Sequence, residues 1–218
     1  MNAFFRASCA LFAAMVIAPA FAGVDESVAK LQTEWEQIKY RQPADKQEQA
    51  FEALSKEAAA VRAEHPDRAE ADIWYGIIVA SHAGAKGGLG ALSLVKDARS
   101  ALEKALAKNP NALDGSAYTS LGSLYYQVPG WPIGFGDKDK ARELLTKALA
   151  INPKGIDSNY FMGDFLYRNG EYEKARASLE AALQAPAPPQ PSAGRRRAAQ
   201  GDRGAAGQGA REAEVSGS

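Results

Sequence analysis

One cysteine, two histidines and two glycine- and aromatic-rich stretches are where this 218-residue chain could do chemistry. Cys9 lies within the first 22 residues, "MNAFFRASCALFAAMVIAPAFA", so a chain cut after Ala22 keeps no thiol for a disulfide, a nucleophile or a metal. His65 precedes Pro66 in "HPD" and is expected to face solvent. His82 has no Asp, Glu or Ser at helical spacing to make a triad, and one His without Cys does not make a zinc site. "GAKGGLGALS", from Gly84, fails as a Walker loop because Lys86 precedes Gly87 and no Gly-Lys-Ser/Thr follows. A dinucleotide fingerprint fails too: Gly88-Leu89-Gly90 runs into Ala91, Leu92 and Ser93, with no strand before it. The glycines are expected to serve backbone positions of positive φ and close packing. No catalytic residue, cofactor or metal ligand is expected, and the chain reads as a non-enzyme.

The second stretch is "YYQVPGWPIGFGDKDKAR", from Tyr125 to Arg142. Pro129-Gly130 suits a type II turn. Trp131 and Phe135 are large apolar residues on a loop, and two outcomes are open. The rings fold back over helix ends as a small satellite core, or they wall a pocket with His82 and Lys86. A concave, mostly apolar site with few polar groups suits a small solute.

The elements that must position these residues are helices. Val28, Leu31, Trp35 and Ile38 fall at helical spacing, and a second helix is predicted from Lys46 to about Glu64. Further helices carry Ile73–Ile78, "LSLVKDARSALEKALAKNP", Tyr118–Tyr125, "DKDKARELLTKALAINP", "SNYFMGDFLYRNG" and "EYEKARASLEAALQAP". No alternating strand pattern appears. Three of the helix ends share one pattern, "ARSALEKALAKNP", "ARELLTKALAINP" and "ARASLEAALQAP", and closing prolines recur at Pro66, Pro110, Pro153 and Pro186. A period of about 33 to 44 residues built from helix pairs is that of an α-solenoid.

The register resembles the tetratricopeptide repeat (TPR). Gly163 takes the small position of helix A, Gly170 the turn, Tyr172 the next position, and Ala175, Leu179 and Ala182 space helix B. Gly122 with Ala141, Leu145 and Ala148 makes another repeat. Ala98, Leu102 and Ala105 close a third, whose helix A carries Trp74, and a more diverged pair precedes Pro66. The expected fold is therefore all-α: an α-α superhelix of three to four antiparallel helix pairs. Two A–B connections are expected to be long loops, with roughly eight to ten extra residues between Val79 and Leu92 and about seven in "VPGWPIG", relative to the standard repeat. Insertions at equivalent positions project from one edge of a solenoid, so the two should lie side by side. The resemblance also implies an inner groove lined by Ser116, Thr119, Ser123, Tyr126, Gln127, Asp157, Tyr160, Asp164, Tyr167 and Arg168. The Asn and Lys residues with which chaperone-binding members clamp a terminal carboxylate are missing. Two Asp and three Tyr favour a basic or polar partner.

Residues 1–22 read as a secretory signal peptide: Arg6, an apolar stretch from Ala7 to Ile17, Pro19, and small residues at Ala20 and Ala22. The apolar stretch is shorter than the roughly 20 residues that span a bilayer. Residues 23–186 are the expected solenoid and 187–218 a low-complexity tail whose one large aliphatic residue is Val215. Such a tail cannot cap the last repeat, leaving Leu179 and Leu183 partly bare. Its Ala, Gly, Arg and Pro content also fits GC-rich DNA read out of frame. The 26 basic and 26 acidic residues of the whole chain fall to 20 and 23 once Arg6 and the tail's five Arg and three acids are set aside. That mild acidity argues against nucleic acid as a partner.

With an export signal and inserts in "AGAKGGLGALSLVKDAR" and "LGSLYYQVPGWPIGFGDKDKA", the chain resembles the T-component family associated with TRAP transporters, which are periplasmic TPR-like proteins. The resemblance implies a periplasmic interaction scaffold, or a solute-binding accessory with ligand near His82, Lys86, Trp131 and Phe135. Its implied partners are a protein or peptide such as a periplasmic solute-binding protein, a small solute, and further copies of itself.

Overall fold

The computed structural model describes residues 20–185, with side chains from Val24 onward. Eight α-helices follow in order: α1 (Ala20–Arg41), α2 (Ala44–Glu64), α3 (Ala69–Lys86), α4 (Ala91–Lys108), α5 (Ser116–Gln127), α6 (Lys138–Ile151), α7 (Ile156–Arg168) and α8 (Tyr172–Leu183). A single 3-10 turn, Ala112–Gly115, precedes α5. No strand occurs among the described residues, and none of their helices is long and apolar enough to cross a membrane. Helix α1 begins before Ala22 and so runs across the expected cleavage point. The tail after residue 186 lies outside the described residues.

Neighbouring helices pack as pairs, α1 on α2, α3 on α4, α5 on α6 and α7 on α8, and helix A of each pair also packs on the next helix A. Four repeats result, with α1, α3, α5 and α7 lining one side. Each recurring small residue has the same physical cause. A Cβ on Gly76 would sit 2.7 Å from the Leu102 Cγ, one on Gly122 2.8 Å from Leu145, and one on Gly163 2.7 Å from Leu179. Helix A thus approaches helix B at a distance that only glycine permits at three equivalent positions. Leu102 and Leu145 are fully buried by that approach, a burial worth about 1.5–3 kcal/mol each.

Chain breaks follow local chemistry. Pro43 sits immediately before α2 and cannot continue α1. Asp137 caps α6, its carboxylate accepting from the Asp139 and Lys140 N–H groups at 2.9 Å. Gly170, at φ 79°, turns the chain from α7 to α8 in a conformation that favours glycine.

The first expected loop insertion is corrected. Helix α3 does not stop near Val79 but continues to Lys86, and only residues 87–90 connect it to α4. "ASHAGA" contains nothing that breaks a helix except Gly84, which has open space around it. The break comes at Gly87 and Gly88, whose φ values are 64° and 57°. The extra residues therefore lengthen a helix rather than form a long loop.

At the far end, α8 buries only Ala175, and Leu183 is 87% exposed. Among the described residues nothing packs over this face of α8; the expected uncapping by the tail concerns residues outside them.

One buried ion cluster holds three helices together. Asp72 of α3 is 1% exposed and pairs with Arg62 of α2 and Lys108 of α4. Arg62 also lies over the Tyr75 ring at 4.9 Å, and Tyr75 donates to Asp97 at 2.5 Å. Burial, then that hydrogen bond, push the Tyr75 hydroxyl up to about 12.

Candidate functional site

The inner groove is built from the A helices. Helix α5 places Tyr126 and Gln127 at its C-terminal end, and α7 places Asp157, Tyr160, Asp164, Tyr167 and Arg168 along one stripe. Tyr126 donates to Asp164 at 2.6 Å, and Arg168 donates to the same carboxylate oxygen at 2.9 Å. The guanidinium also lies 5.6 Å from the Tyr126 ring centroid, and Gln127 donates to the Tyr126 hydroxyl at 3.3 Å. Burial and then the bond to Asp164 push the Tyr126 hydroxyl above the usual tyrosine range. Asp164 is thus satisfied within the chain, so its charge is not the free anion that the sequence suggested. Thr119 is 4% exposed and belongs to the interior, a correction to the expected groove lining.

Asp157 is the available carboxylate. Among the described residues its side chain makes no hydrogen bond or ion pair, and the protein crowded around it pushes its carboxyl up. Tyr160 and Tyr167 are 50% and 61% exposed. Tyr160 meets Phe161 edge to face at 5.3 Å, and Tyr167 meets Tyr172 at 5.5 Å. Across from them stands Tyr40 at the end of α1, 73% exposed. Its hydroxyl is pushed up first by loss of water contact and then by the Asp157 and Glu36 carboxylates and Tyr160. The first and last A helices therefore come within electrostatic reach across the groove. Sequence reading missed Tyr40, since a tyrosine after the apolar run of a diverged first repeat carries no signal by itself. Trp35 closes this wall, donating to Ser81 at 2.8 Å and meeting Tyr40 and Trp74 edge to face.

The four residues expected at the loop edge fall into two neighbourhoods. His82 and Lys86 face α2: Lys86 pairs with Glu48 at 2.9 Å, while His82 is 7% exposed with neither ring nitrogen hydrogen-bonded. Burial, then the Lys86 charge, hold His82 below its usual value. Phe135 instead meets Tyr125 edge to face at 5.4 Å, and the Arg99 guanidinium lies 5.0 Å from its ring centroid. The cleft beside Phe135 is completed by Lys96, Arg99, Ser100 and Glu103 of α4, without His82, Lys86 or the Trp131 ring. The second insert thus leans on helix B of the repeat before it rather than on the first insert. Of the two outcomes left open for the rings, Phe135 joins the core and Trp131, 90% exposed, does not. No group of acidic, histidine or cysteine side chains able to hold a metal occurs among the described residues.

A tetratricopeptide repeat family model matches residues 133–195. Among solved structures, the chain is similar to a thermophilic TPR protein of Thermus thermophilus, with 20% identity, 74% of each chain covered and a TM-score of 0.55. It is also similar to MamA, with 20% identity, 67% of this chain and 95% of that one covered and a TM-score of 0.34. PilF of Pseudomonas aeruginosa has 16% identity, 77% and 80% coverage and a TM-score of 0.34. No curated protein matches. The repeated glycine–leucine approaches, the match over the C-terminal repeats and the Thermus likeness agree on one architecture: the described chain is an all-α array of TPR-type helix pairs.

Proposed function

We propose that the chain is a non-catalytic interaction scaffold, exported to the periplasm by residues 1–22, that holds a segment of another protein in its inner groove. One observation carries this reading. Asp157 is a carboxylate without a partner among the described residues, set among the exposed rings of Tyr40 and Tyr160 on facing walls of one groove. Tyrosines give large contact area at little conformational cost, and one free carboxylate among them selects a cationic side chain. The expected partner segment therefore carries Lys or Arg between polar or apolar residues. Asp164 is held by Tyr126 and Arg168 and serves to fix the wall.

The test is capture from periplasmic extract on the immobilised full chain, beside Asp157→Asn and Tyr160→Ala. A protein retained by the wild type and released by both substitutions, with unchanged circular dichroism, supports the reading. Equal retention on all three, or none on the wild type, refutes it. The alternative of a TRAP-type solute accessory would need His82, Lys86, Trp131 and Phe135 to share a pocket, and their two separate neighbourhoods favour the scaffold.

A further inference from the structure

Trp131 and Ile133 are 90% and 57% exposed on a turn whose backbone is fixed. The N–H groups of Ile133 and Gly134 both donate to the Gly130 carbonyl, at 3.2 and 3.1 Å. Gly136 N–H donates to the Pro129 carbonyl at 2.9 Å, and Asp137 N–H to the Tyr125 carbonyl at 2.8 Å. A Cβ on Gly134 or Gly136 would run into the carbonyl oxygens of Pro129 and Val128, so the two arms of the loop close only because both are glycine. Phe135 pins the base of the loop between Tyr125 and Arg99. The result is a preorganised loop that holds out an indole the described residues leave uncovered. Rigidly presented aromatic anchors are the side chains that dominate interface energies, because little entropy is lost when they bind.

Beside this tip lies a cleft of about 310 Å³, between residues 132–135 and Lys96, Arg99, Ser100 and Glu103 of α4. Arg99 is engaged by Glu103 at 2.8 Å. Lys96 has no hydrogen bond or ion pair within the described chain. An unneutralised ammonium next to an exposed apolar tip is complementary to a carboxylate next to an apolar side chain.

We propose that this edge is a second docking surface, separate from the inner groove, for a segment of another protein that presents an acidic residue beside an apolar one. The apolar side chain packs on Trp131 and Ile133, and the carboxylate enters the cleft at Lys96. Anionic lipid suits the edge less well, because the cations next to the loop alternate with acids, Lys138 and Lys140 with Asp137 and Asp139, and Glu103 lines the cleft, so no unbroken basic patch forms.

The probe is a phage-displayed library of random peptides selected on the full chain, followed by calorimetry with the enriched sequences as synthetic peptides. The expected result is enrichment of peptides pairing Asp or Glu with a large apolar residue, bound about tenfold or more weakly by Trp131→Ala. Lys96→Glu should also weaken them and restore binding to peptides in which the acid is replaced by Lys. Asp157→Asn, in the groove, should leave affinity unchanged, which separates this surface from the groove reading. The proposal is overturned if no acidic–apolar motif is enriched, or if the peptides bind Trp131→Ala as tightly as wild type. It is equally overturned if Trp131 instead drives binding to phosphatidylglycerol vesicles, or self-association seen in sedimentation.

Discussion

Replacing Gly122 by Ala isolates the contact on which the repeat is built. The new Cβ would stand 2.8 Å from Leu145 Cγ, 3.0 Å from its Cδ2 and 3.4 Å from Leu144 Cβ. Leu145 is fully buried and Leu144 is 3% exposed, so neither can swing into water, and α5 and α6 must separate by several tenths of an ångström. Overpacking of this kind costs about 1–3 kcal/mol. Against it stands the gain from replacing glycine inside a helix, about 0.5–1 kcal/mol. Gly84 supplies the control: it lies in α3 with nothing within 4 Å of its own added Cβ, so Gly84→Ala should collect the gain without the clash. The two variants should differ by about 1–3 kcal/mol in urea denaturation followed by far-UV circular dichroism. Leu145→Val in the Gly122→Ala background should recover part of the loss, as expected for residues in direct contact. If Gly122→Ala is as stable as Gly84→Ala, the close-approach argument fails at all three repeats, because Gly76 and Gly163 rest on the same geometry.

Three other perturbations test separate parts of the structure. His82 is buried without a hydrogen-bond partner, and burial and Lys86 lower its pKa against the opposing pull of Glu52 and Glu48. The folded state therefore binds the proton less well than the unfolded chain, so its contribution is fully present above the usual 6.5 and is lost as pH falls below it. The urea midpoint should drop between about pH 7.5 and about pH 5.5, and His82→Leu should flatten that drop; an identical slope in the variant would remove His82 as its source. Asp72→Asn leaves Arg62 and Lys108 without their counter-charge. Because both are about a quarter exposed and can recruit water, the cost should be about 1–3 kcal/mol, below that of breaking a fully buried pair. Trp131→Ala should change stability by less than about 0.5 kcal/mol, whereas Phe135→Ala should cost more than 1 kcal/mol, about the lower end for a partly buried ring; equal losses in thermal melts would contradict their different burial.

How much of this could be read from the residues differs by kind of interaction. Helix pairing was legible because its causes are local and repeated: prolines closing B helices, and a glycine on helix A answered by a leucine on helix B, Gly122 by Leu145 and Gly163 by Leu179. The course of α3 was not. Glycine density suggested a loop from Val79, yet "ASHAGA" is compatible with helix and only the positive φ at Gly87 ends it. The groove was legible as a set of positions but not as a charge distribution. Asp157 and Asp164 look equivalent in sequence, and only the reach of Tyr126 and Arg168 neutralises one of them. The Asp72 cluster had one signal, a charged residue between Ala71 and Ile73 in an apolar run, and its partners lie 10 and 36 residues away.

The two inserts show what a solenoid permits at its A–B junctions. Each repeat is held by the glycine–leucine approach at mid-helix, so residues added at the junction lie beyond the contact that sets the stack. One addition prolongs α3 by further turns and brings Lys86 to Glu48 of α2, consuming its charge in a structural pair. The other cannot prolong α5, because Pro129 and Pro132 bar a helix, so it folds back on α4 and leaves its indole outside. Insertions of similar length at equivalent positions therefore have opposite consequences. The helical one is absorbed into the helix stack, and the proline-bound one leaves Trp131 and Ile133 exposed. Helix compatibility of the inserted residues, rather than insert length, is what separates a prolonged helix from an exposed loop in this chain.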